Sequence, residues 1–265
     1  LPRTEANIAA FLVDKVGDPA PTAEVKGAIK KLQAAQFVRD TEDGWKLQTT
    51  QEKNWETEKR AHDPKPRDRN EIVRHALRDI FGEPALRTYR HKDYRTFRIG
   101  IIVDGSVVGD EGDITLSLSA AEDDQEMSKR IDEARDESRQ KDHPNDLYWV
   151  FSLTPEIDEL VAQLFASRKM VEKYDQLRAQ SKITHDEATC LQDEKNAVLG
   201  FESRLRDKLA GVLEQGTGVF RGVARDASSL GKSLGEVVRK LLDQIIPDLY
   251  PKLEMGSRPL KGVEA

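Results

Sequence analysis

"DLYWVFSL", residues 146–153, is an almost unbroken apolar run, and it is the stretch that decides the fold prediction. Such a run is typical of a strand that is buried on both faces of a sheet. Upstream, "DITLSLS" (113–119) alternates between apolar and polar residues, which predicts a strand with Ile114, Leu116 and Leu118 on one face. A highly charged helix is predicted between the two, over 122–140. Strand, helix and strand in this order indicate a small α/β domain.

Further upstream, the same domain is predicted to begin with a helix. "FRIGIIVDGSVVG" (97–109) predicts a strand, a turn at Asp104–Gly105 and a short return strand. A helix with one apolar side is predicted from Asn70 to Phe81. The Pro-rich, charged segment "HDPKPRDRN" (62–70) is predicted to be a linker. The α/β domain is therefore expected over residues 71–153.

Downstream, the pattern becomes helical. Thr154 is a predicted N-cap with Pro155 at the first helical position, and Thr184 and Glu187 have the spacing of a capping box. Apolar residues recur every seven positions in the second helix, a coiled-coil-like seam. They are Leu191, Val198, Leu205 and Val212. Because Lys195 and Glu202 interrupt the companion seam, an antiparallel helical hairpin is expected over 154–215. Residues 216–265 are predicted to form a short β excursion (216–226), a helix from Ser229 to Ile246 stopped by Pro247, and a loose tail.

Residues 1–61 are predicted to form a winged helix. Thr4 and Thr22 each start a helix, and a hairpin follows, with strands at Phe37–Arg39 and Trp45–Gln48 and a turn at Thr41–Gly44. Two helices followed by a hairpin are the order of a helix-turn-helix with a wing. The first helix is expected to present Ile8, Phe11 and Leu12 on one face, and the second to bury Val25, Ala28, Ile29 and Leu32. A further helix, Thr50–Ala61, is expected to pack Trp55 back onto this unit.

The predicted fold class is therefore α+β: a winged helix-turn-helix, a small mixed α/β domain, an antiparallel helical hairpin and a C-terminal helix. The chain has 265 residues, of which 37% are hydrophobic and 34% charged, which favours long, solvated helices. It has one cysteine, Cys190, and no apolar run of the ~20 residues that a membrane span needs, so a cytoplasmic location is expected. Because the first residue is Leu1, we expect a piece excised from a longer protein.

The basic and aromatic segment "RTYRHKDYRTFR" (87–98) is the main candidate for binding nucleic acid. Its cations can bind phosphates, and Tyr89 and Tyr94 can stack on bases. The cations are Arg87, Arg90, Lys92, Arg95 and Arg98. Residues 59–98 carry twelve Lys/Arg against six Asp/Glu, a local excess that net charge −6 conceals. The alternative interpretation is one strand with a charged outer face and Phe97 in the core.

A rival basic surface lies on the second helix of the predicted winged helix, where Lys26, Lys30 and Lys31 form one basic side. The predicted wing carries Asp40, Glu42 and Asp43, which repel phosphates. Any contact with DNA is therefore expected to be weak and not sequence-specific, since few side chains are placed to read base edges.

No catalytic or metal-binding residues are predicted. "LGKS" (230–233) resembles the end of a phosphate-binding loop, but the glycine required five residues earlier is Asp226. The turn carboxylates Asp104, Asp110, Glu111 and Asp113 lack calcium-loop spacing. The five histidines are scattered and none lies beside Cys190 in the sequence, which disfavours a zinc site or a Cys–His nucleophile.

Two stretches carry a resemblance to a known family. "KKLQAAQFVRDTEDGWKLQTTQEKNWE" (30–56), which contains residues 43–49 and Trp55, and "DLYWVFSL" with Tyr148, Trp149 and Val150, resemble the large P-loop ATPase of BREX phage-defence systems (the BrxC/PglY family). The resemblance covers most of the chain and implies that an ATP- and Mg²⁺-binding module precedes the winged helix in the parent protein. No cofactor is expected in this part of the chain, because it lacks the phosphate-binding loop.

The resemblance implies a non-catalytic fragment of a phage-resistance ATPase that couples the ATPase module to DNA or to partner subunits. The expected partners are other BREX subunits, further copies of the chain, and possible weak DNA contacts; no membrane is expected. Two alternatives stay open. A stand-alone winged-helix DNA-binding regulator with a coiled-coil arm predicts a start methionine close upstream. An enzyme with an unrecognised α/β site predicts a deep polar pocket near Asp104–Asp113.

Overall fold

The computed structural model describes residues 2–13, 15, 17–35, 37–40, 44–92, 94–103, 105–140 and 145–253. These residues form an α+β fold with a mixed sheet. The helices are α1 (Glu5–Phe11), α2 (Thr22–Ala34), α3 (Thr50–Arg60), α4 (Pro66–Ile80), α5 (Pro84–Arg87), α6 (Asp124–Glu137), α7 (Pro155–Ala179), α8 (His185–Glu214) and α9 (Leu234–Leu249). The strands are β1 (Val38–Arg39), β2 (Lys46–Leu47), β3 (Thr88–His91), β4 (Arg95–Val103), β5 (Ser106–Val108), β6 (Ile114–Ala121), β7 (Asp146–Ser152), β8 (Thr217–Phe220) and β9 (Val223–Asp226).

The main sheet has the strand order β3-β4-β6-β7-β8-β9, and β5 pairs with β4. β6 is parallel to both β4 and β7, whereas the pairs β3–β4, β4–β5, β7–β8 and β8–β9 are antiparallel. β7 lies between β6 and β8, and its residues 147–151 are all buried, so the prediction of a central strand over "DLYWVFSL" is confirmed.

Helices cover both faces of this sheet. The alternating residues of β6, including Ile114, Leu116 and Leu118, join the large hydrophobic core with Trp149 of β7. Helices α4, α7, α8 and α9 contribute to that core, as do α5 and the strands β3, β4, β5 and β8. On the other face, α6 packs Ala134 against Tyr148, Val150 and Val219. Two-sided burial explains why β7 is apolar throughout while β6 alternates.

A close backbone approach brings β4 next to the chain that enters β6. A Cβ atom on Gly112 would lie 2.2 Å from the backbone nitrogen of Gly100, so a larger residue cannot replace Gly112 without moving the strands apart. The backbone nitrogen of Asp113 then donates a hydrogen bond of 2.8 Å to the carbonyl oxygen of Arg98. The glycine thereby permits this close approach of the two backbones.

The chain divides into two compact units: Leu1–Asp63 with Ala166–Ala197, and Pro64–Phe165 with Val198–Ala265. We call them unit 1 and unit 2. The division differs from the predicted ranges, because β8 and β9 join the sheet and α9 packs in its core instead of forming a separate segment. Helices α7 and α8 each begin in one unit and end in the other, which sequence periodicity cannot reveal because the apolar stripe continues along both helices.

Unit 1 begins with two helices and a two-stranded sheet in the predicted order. Thr4 caps α1, and Val38 pairs with Leu47 in the antiparallel β1–β2 pair. The predicted stripes are only half correct, because the buried side chains are Ala9, Val25 and Ile29. Four side chains expected in this core are exposed instead: Phe11, Leu12, Ala28 and Leu32. The predicted turn residues Thr41, Glu42 and Asp43 lie outside the described residues.

Helix α3 packs differently from the prediction. Trp55 is buried against Met170, Tyr174 and Leu191 of the helical hairpin, and its ring lies 4.2 Å from that of Tyr174. The α1–α2 core contains Trp45 at its edge but not Trp55. A large aromatic ring buries more apolar surface against two facing helices than on a small unit, which explains the difference.

Two predicted helices had wrong boundaries, and the alternative interpretation of 87–98 as one strand was also wrong. Helix α4 begins at Pro66 instead of Asn70, because proline suits the first helical turn and the Asp68 carboxylate accepts a hydrogen bond of 3.0 Å from the Lys65 backbone N–H. The C-terminal helix starts after its N-cap Ser233, and it continues through Pro247 to Leu249. Residues 88–98 form two antiparallel strands, β3 and β4, instead of one.

The predicted helical hairpin is present. Thr184 and Glu187 form the expected capping box at the start of α8. Within unit 2, Leu205 and Leu209 of α8 share a core with Leu160 and Leu164 of α7. In the described part of the chain, no helix is both long and apolar enough to cross a lipid bilayer.

Candidate nucleic-acid interface

The basic segment 87–98 forms the outer hairpin of the main sheet. β3 pairs with β4 in a register that places Thr88 opposite Arg98 and Arg90 opposite Thr96. Directly opposed residues point to the same side of a sheet, so these four side chains share one face. All four are exposed. The alternating residues, including Tyr89 and Phe97, are buried on the opposite side.

Arg90 and Arg98 are diagonal neighbours on this exposed face, with the ~7–8 Å separation typical of such pairs. The sequence placed both among the candidate cations, and the strand alternation brings them together. We call them the exposed arginine pair.

Two other predicted cations stabilise the sheet. The Arg87 guanidinium is half-buried and donates a hydrogen bond of 3.1 Å to the Val108 carbonyl oxygen. Arg95 is 3.2 Å from the Asp113 carboxylate and lies over the Phe97 ring, 5.0 Å from its centroid. Asp113 also accepts a hydrogen bond of 2.8 Å from the backbone N–H of Arg98. These contacts hold the strand ends. The presence of Arg87 and Arg95 is therefore explained by contacts within the protein and does not require a ligand.

The two tyrosines differ in their access to solvent. Tyr89 is only 5% exposed, and its hydroxyl donates a hydrogen bond to the Asp243 carboxylate of α9 and contacts Nδ1 of His91 at 3.0 Å. Burial, and then the Asp243 hydrogen bond, raise the pKa of Tyr89. Tyr94 is 42% exposed, with the Lys92 ammonium 5.7 Å from its ring centroid. Of the two tyrosines, only Tyr94 can therefore stack on a base without rearrangement. Asp93, which precedes Tyr94 in the sequence, lies outside the described residues.

The rival lysines Lys26, Lys30 and Lys31 are all exposed on α2. The buried side of the same helix carries Val25 and Ile29, so the basic side faces away from the α1–α2 core. This surface is in unit 1, whereas the exposed arginine pair is in unit 2. The two candidate surfaces can therefore be tested separately.

The remaining chemical candidates have structural roles. Asp226 caps the short turn 227–229, where its carboxylate accepts hydrogen bonds of 2.9 Å from the N–H and the hydroxyl of Ser228. Ser233 caps α9, and the backbone N–H of Lys232 donates to Glu236. "LGKS" is thus a helix start, and the Glu236 carboxylate already accepts a hydrogen bond from its Lys232 amide.

The turn carboxylates do not converge. Asp110 and Glu111 are exposed, Asp113 bonds to β4, and Asp104 lies outside the described residues. Among the residues that the structure describes, no group of three or more His, Cys, Asp or Glu side chains is arranged to hold a metal ion.

Among the residues that the structure describes, Cys190, His75 and His91 lie in different surroundings. Burial raises the pKa of the Cys190 thiol, which packs beside the Trp55 cluster and stays protonated at neutral pH. His91 is buried against Tyr89, and His75 pairs with Asp79 at 3.4 Å. His143 lies outside the described residues.

The structure also shows a cleft that sequence analysis missed. Residues of β3, β4, α5 and α9 surround about 300 Å³, with Arg90, Lys92 and Arg239 among the lining residues. Ile99, Val238 and Leu242 supply its apolar lining. Arg239 comes from a helix about 150 residues away in the chain, so no local motif could have indicated it.

Comparison with protein-family models, curated proteins and solved structures finds no match to this chain.

Proposed function

We propose that this chain is a non-catalytic part of a cytosolic BREX-type phage-resistance ATPase, and that it couples an ATPase module to DNA or to partner subunits. The observation that carries the DNA contact is the exposed arginine pair on the outer hairpin of the sheet. ATP and Mg²⁺ would be bound by the module upstream, in the parent protein.

The exposed arginine pair has the chemistry of a phosphate contact. Guanidinium groups bind phosphate oxygens through two parallel hydrogen bonds, and a diagonal pair can reach neighbouring phosphates of one strand. Thr96 on the same face supplies a hydroxyl donor, whereas the Thr88 hydroxyl already donates to the Pro84 carbonyl oxygen at 2.9 Å. Contacts of this kind position a duplex without reading its sequence, so we expect weak, salt-dependent and sequence-independent binding.

The second candidate function is a stand-alone winged-helix DNA-binding regulator. The three exposed lysines of α2 favour it, because α1, α2 and the β1–β2 pair follow one another in the order of a winged helix. The exposed Asp40 beside β1 weakens this alternative, since a carboxylate near the wing repels phosphate.

Fluorescence-anisotropy titrations of a short duplex at several salt concentrations test which surface binds DNA. Replacing Arg90 and Arg98 by Gln should flatten the slope of log K against log salt by almost two units, since each phosphate contact contributes about 0.9. The variant with Gln at Lys26, Lys30 and Lys31 should bind like the parent chain. Arg178→Gln with Lys182→Gln is the matched control, because it also removes two exposed cations.

Loss of binding in the α2 variant alone would mean that the predicted winged helix binds DNA and that the exposed arginine pair does not. If the parent chain does not bind duplex at low salt, the exposed arginine pair serves a protein partner instead. The ATPase assignment has its own test in the gene. A phosphate-binding loop upstream in the same reading frame supports it, whereas a start codon close upstream favours the regulator.

A further inference from the structure

The cleft between the outer hairpin and α9 has features of a small-ligand site. It is lined by elements of unit 2 alone, and its volume of about 300 Å³ is at the lower end of the ~300–1,000 Å³ range of small-molecule sites. Its apolar lining comes from Ile99 on β4 and from Val238 and Leu242 on α9, which are all buried. An apolar lining with a few charged groups is the usual composition of such a site.

The charge of the cleft favours an anion. Three cations line it, Arg90 and Lys92 from the hairpin and Arg239 from α9, against one carboxylate, Asp243. The Asp243 carboxylate already accepts the hydrogen bond of the Tyr89 hydroxyl. Arg239, by contrast, makes no hydrogen bond or ion pair with any residue that the structure describes. An exposed arginine that lines a cleft is suited to bind an incoming anion.

We propose that this cleft binds a phosphate monoester whose body is compact and largely apolar or aromatic, such as a mononucleotide. Arg239 binds the phosphate from the α9 side, and Lys92 contributes from the hairpin side. The body lies against Ile99, Val238 and Leu242. The phosphate belongs either to a free mononucleotide or to the end of a nucleic-acid strand, which share this chemistry.

The cleft shares Arg90 with the exposed arginine pair, but its phosphate contact rests on Arg239, which is not part of that pair. Arg239→Gln leaves Arg90 and Arg98 in place, so duplex binding should be unchanged in this variant. Failure of duplex binding and failure of the cleft are therefore distinguishable in the same protein.

Isothermal titration calorimetry of the intact chain tests the cleft with AMP, adenosine and inorganic phosphate. AMP should bind at least ~10-fold more tightly than adenosine or inorganic phosphate, since the site contacts both the phosphate and the nucleoside. Arg239→Gln should weaken AMP binding at least ~10-fold, and Lys240→Gln should not, because Lys240 is exposed on the same helix and does not line the cleft. Oligonucleotides with a 5′-phosphate or a 5′-hydroxyl then distinguish a strand end from a free nucleotide.

Equal affinity for AMP and adenosine, or equal losses in the two variants, would overturn the proposal. So would a loss caused by Asp243→Asn but not by Arg239→Gln, which would mean that the ligand is a cation. NMR gives a measurement that needs no variant: AMP should shift the backbone amides of Arg90, Lys92 and Arg239 together. Shifts confined to residues elsewhere in the chain would exclude the cleft.

Discussion

At the residue scale, unit 1 contains two buried carboxylates, Glu52 and Glu194, and Glu194 is the more deeply buried. The side chain of Glu194 is 6% exposed, accepts a hydrogen bond of 2.8 Å from Nε1 of Trp55, and lies 2.6 Å from the Lys59 ammonium. Burial by itself raises the pKa of Glu194, but the charge and hydrogen bonding of Lys59, with further hydrogen bonds, hold the pKa below its usual value. Trp55 therefore depends on a charged partner as well as on packing.

The lowered pKa of Glu194 makes unit 1 sensitive to acid. A carboxyl group whose pKa is lower in the folded state stabilises the fold above its unfolded pKa, and this contribution is lost as the pH falls through the folded pKa. Glu194→Gln should therefore reduce the fall in unfolding free energy between about pH 5 and pH 3. Urea unfolding followed by tryptophan fluorescence at each pH measures it.

The exposed ion pair of Glu172 with Lys169, 2.8 Å apart, is the matched control. Its carboxyl pKa is also lowered, by the hydrogen bond and charge of Lys169, but water screens an exposed pair. Glu172→Gln should leave the acid dependence almost unchanged. If Glu194→Gln behaves in the same way, the Glu194 pair contributes nothing specific to acid stability.

At the element scale, the helical hairpin is held by side chains that recur along α8. Leu191 and Leu205 are both fully buried, Leu191 against Met170 and Tyr174 in unit 1 and Leu205 in the core of unit 2. Val198, between them in the heptad, is only partly buried. Lys195, which interrupts the companion seam, pairs with Asp175 of α7 at 2.7 Å. The lysine that interrupts the apolar seam therefore forms an ion pair between the two antiparallel helices of the hairpin.

Leu205→Ala should destabilise unit 2 by ~2–5 kcal/mol, because it leaves a cavity in a close-packed core. Leu199→Ala, on the same helix, is the control, since Leu199 is 65% exposed and its truncation should cost less than ~0.5 kcal/mol. Chemical denaturation followed by circular dichroism measures both. Equal, small effects would mean that Leu205 is not packed as described.

At the scale of the whole molecule, the chain combines two compact units that share α7 and α8. The candidate surfaces lie on different units, with the lysines of α2 on unit 1, and the exposed arginine pair and the cleft on unit 2. None of these three surfaces includes "LGKS", although "LGKS" contains the lysine and serine of a phosphate-binding motif.

The purified chain should not hydrolyse ATP. The Glu236 carboxylate accepts a hydrogen bond from the backbone N–H of Lys232. Asp226 occupies the position where the phosphate-binding motif needs glycine. A triphosphate would therefore meet two carboxylates at this position. A coupled phosphate-release assay should show the same background rate for the parent chain and for Lys232→Ala. Turnover that disappears in the variant would contradict this account.

The sequence by itself determined most elements and their types. Periods of two and of 3.6 residues identified β6, β7, α7 and α8, because each pattern reflects burial on a local face. The capping box at Thr184 and Glu187 is a local device, so its residues could be recognised without a fold. The same local logic identified the basic segment 87–98 as a candidate interface, but not which of its side chains are exposed.

Only the tertiary structure decided how those elements combine. Partners distant in sequence meet through packing, which leaves no local pattern: Trp55 lies against Tyr174, Tyr89 bonds to Asp243, and β8 pairs with β7. Packing between distant elements also determined which residues of the candidate site are exposed. Strand pairing exposed Arg90 and Arg98 and buried Tyr89, while α9 brought Arg239 to the hairpin. Charge and polarity can be read residue by residue, but exposure and proximity depend on which distant surfaces exclude water from one another.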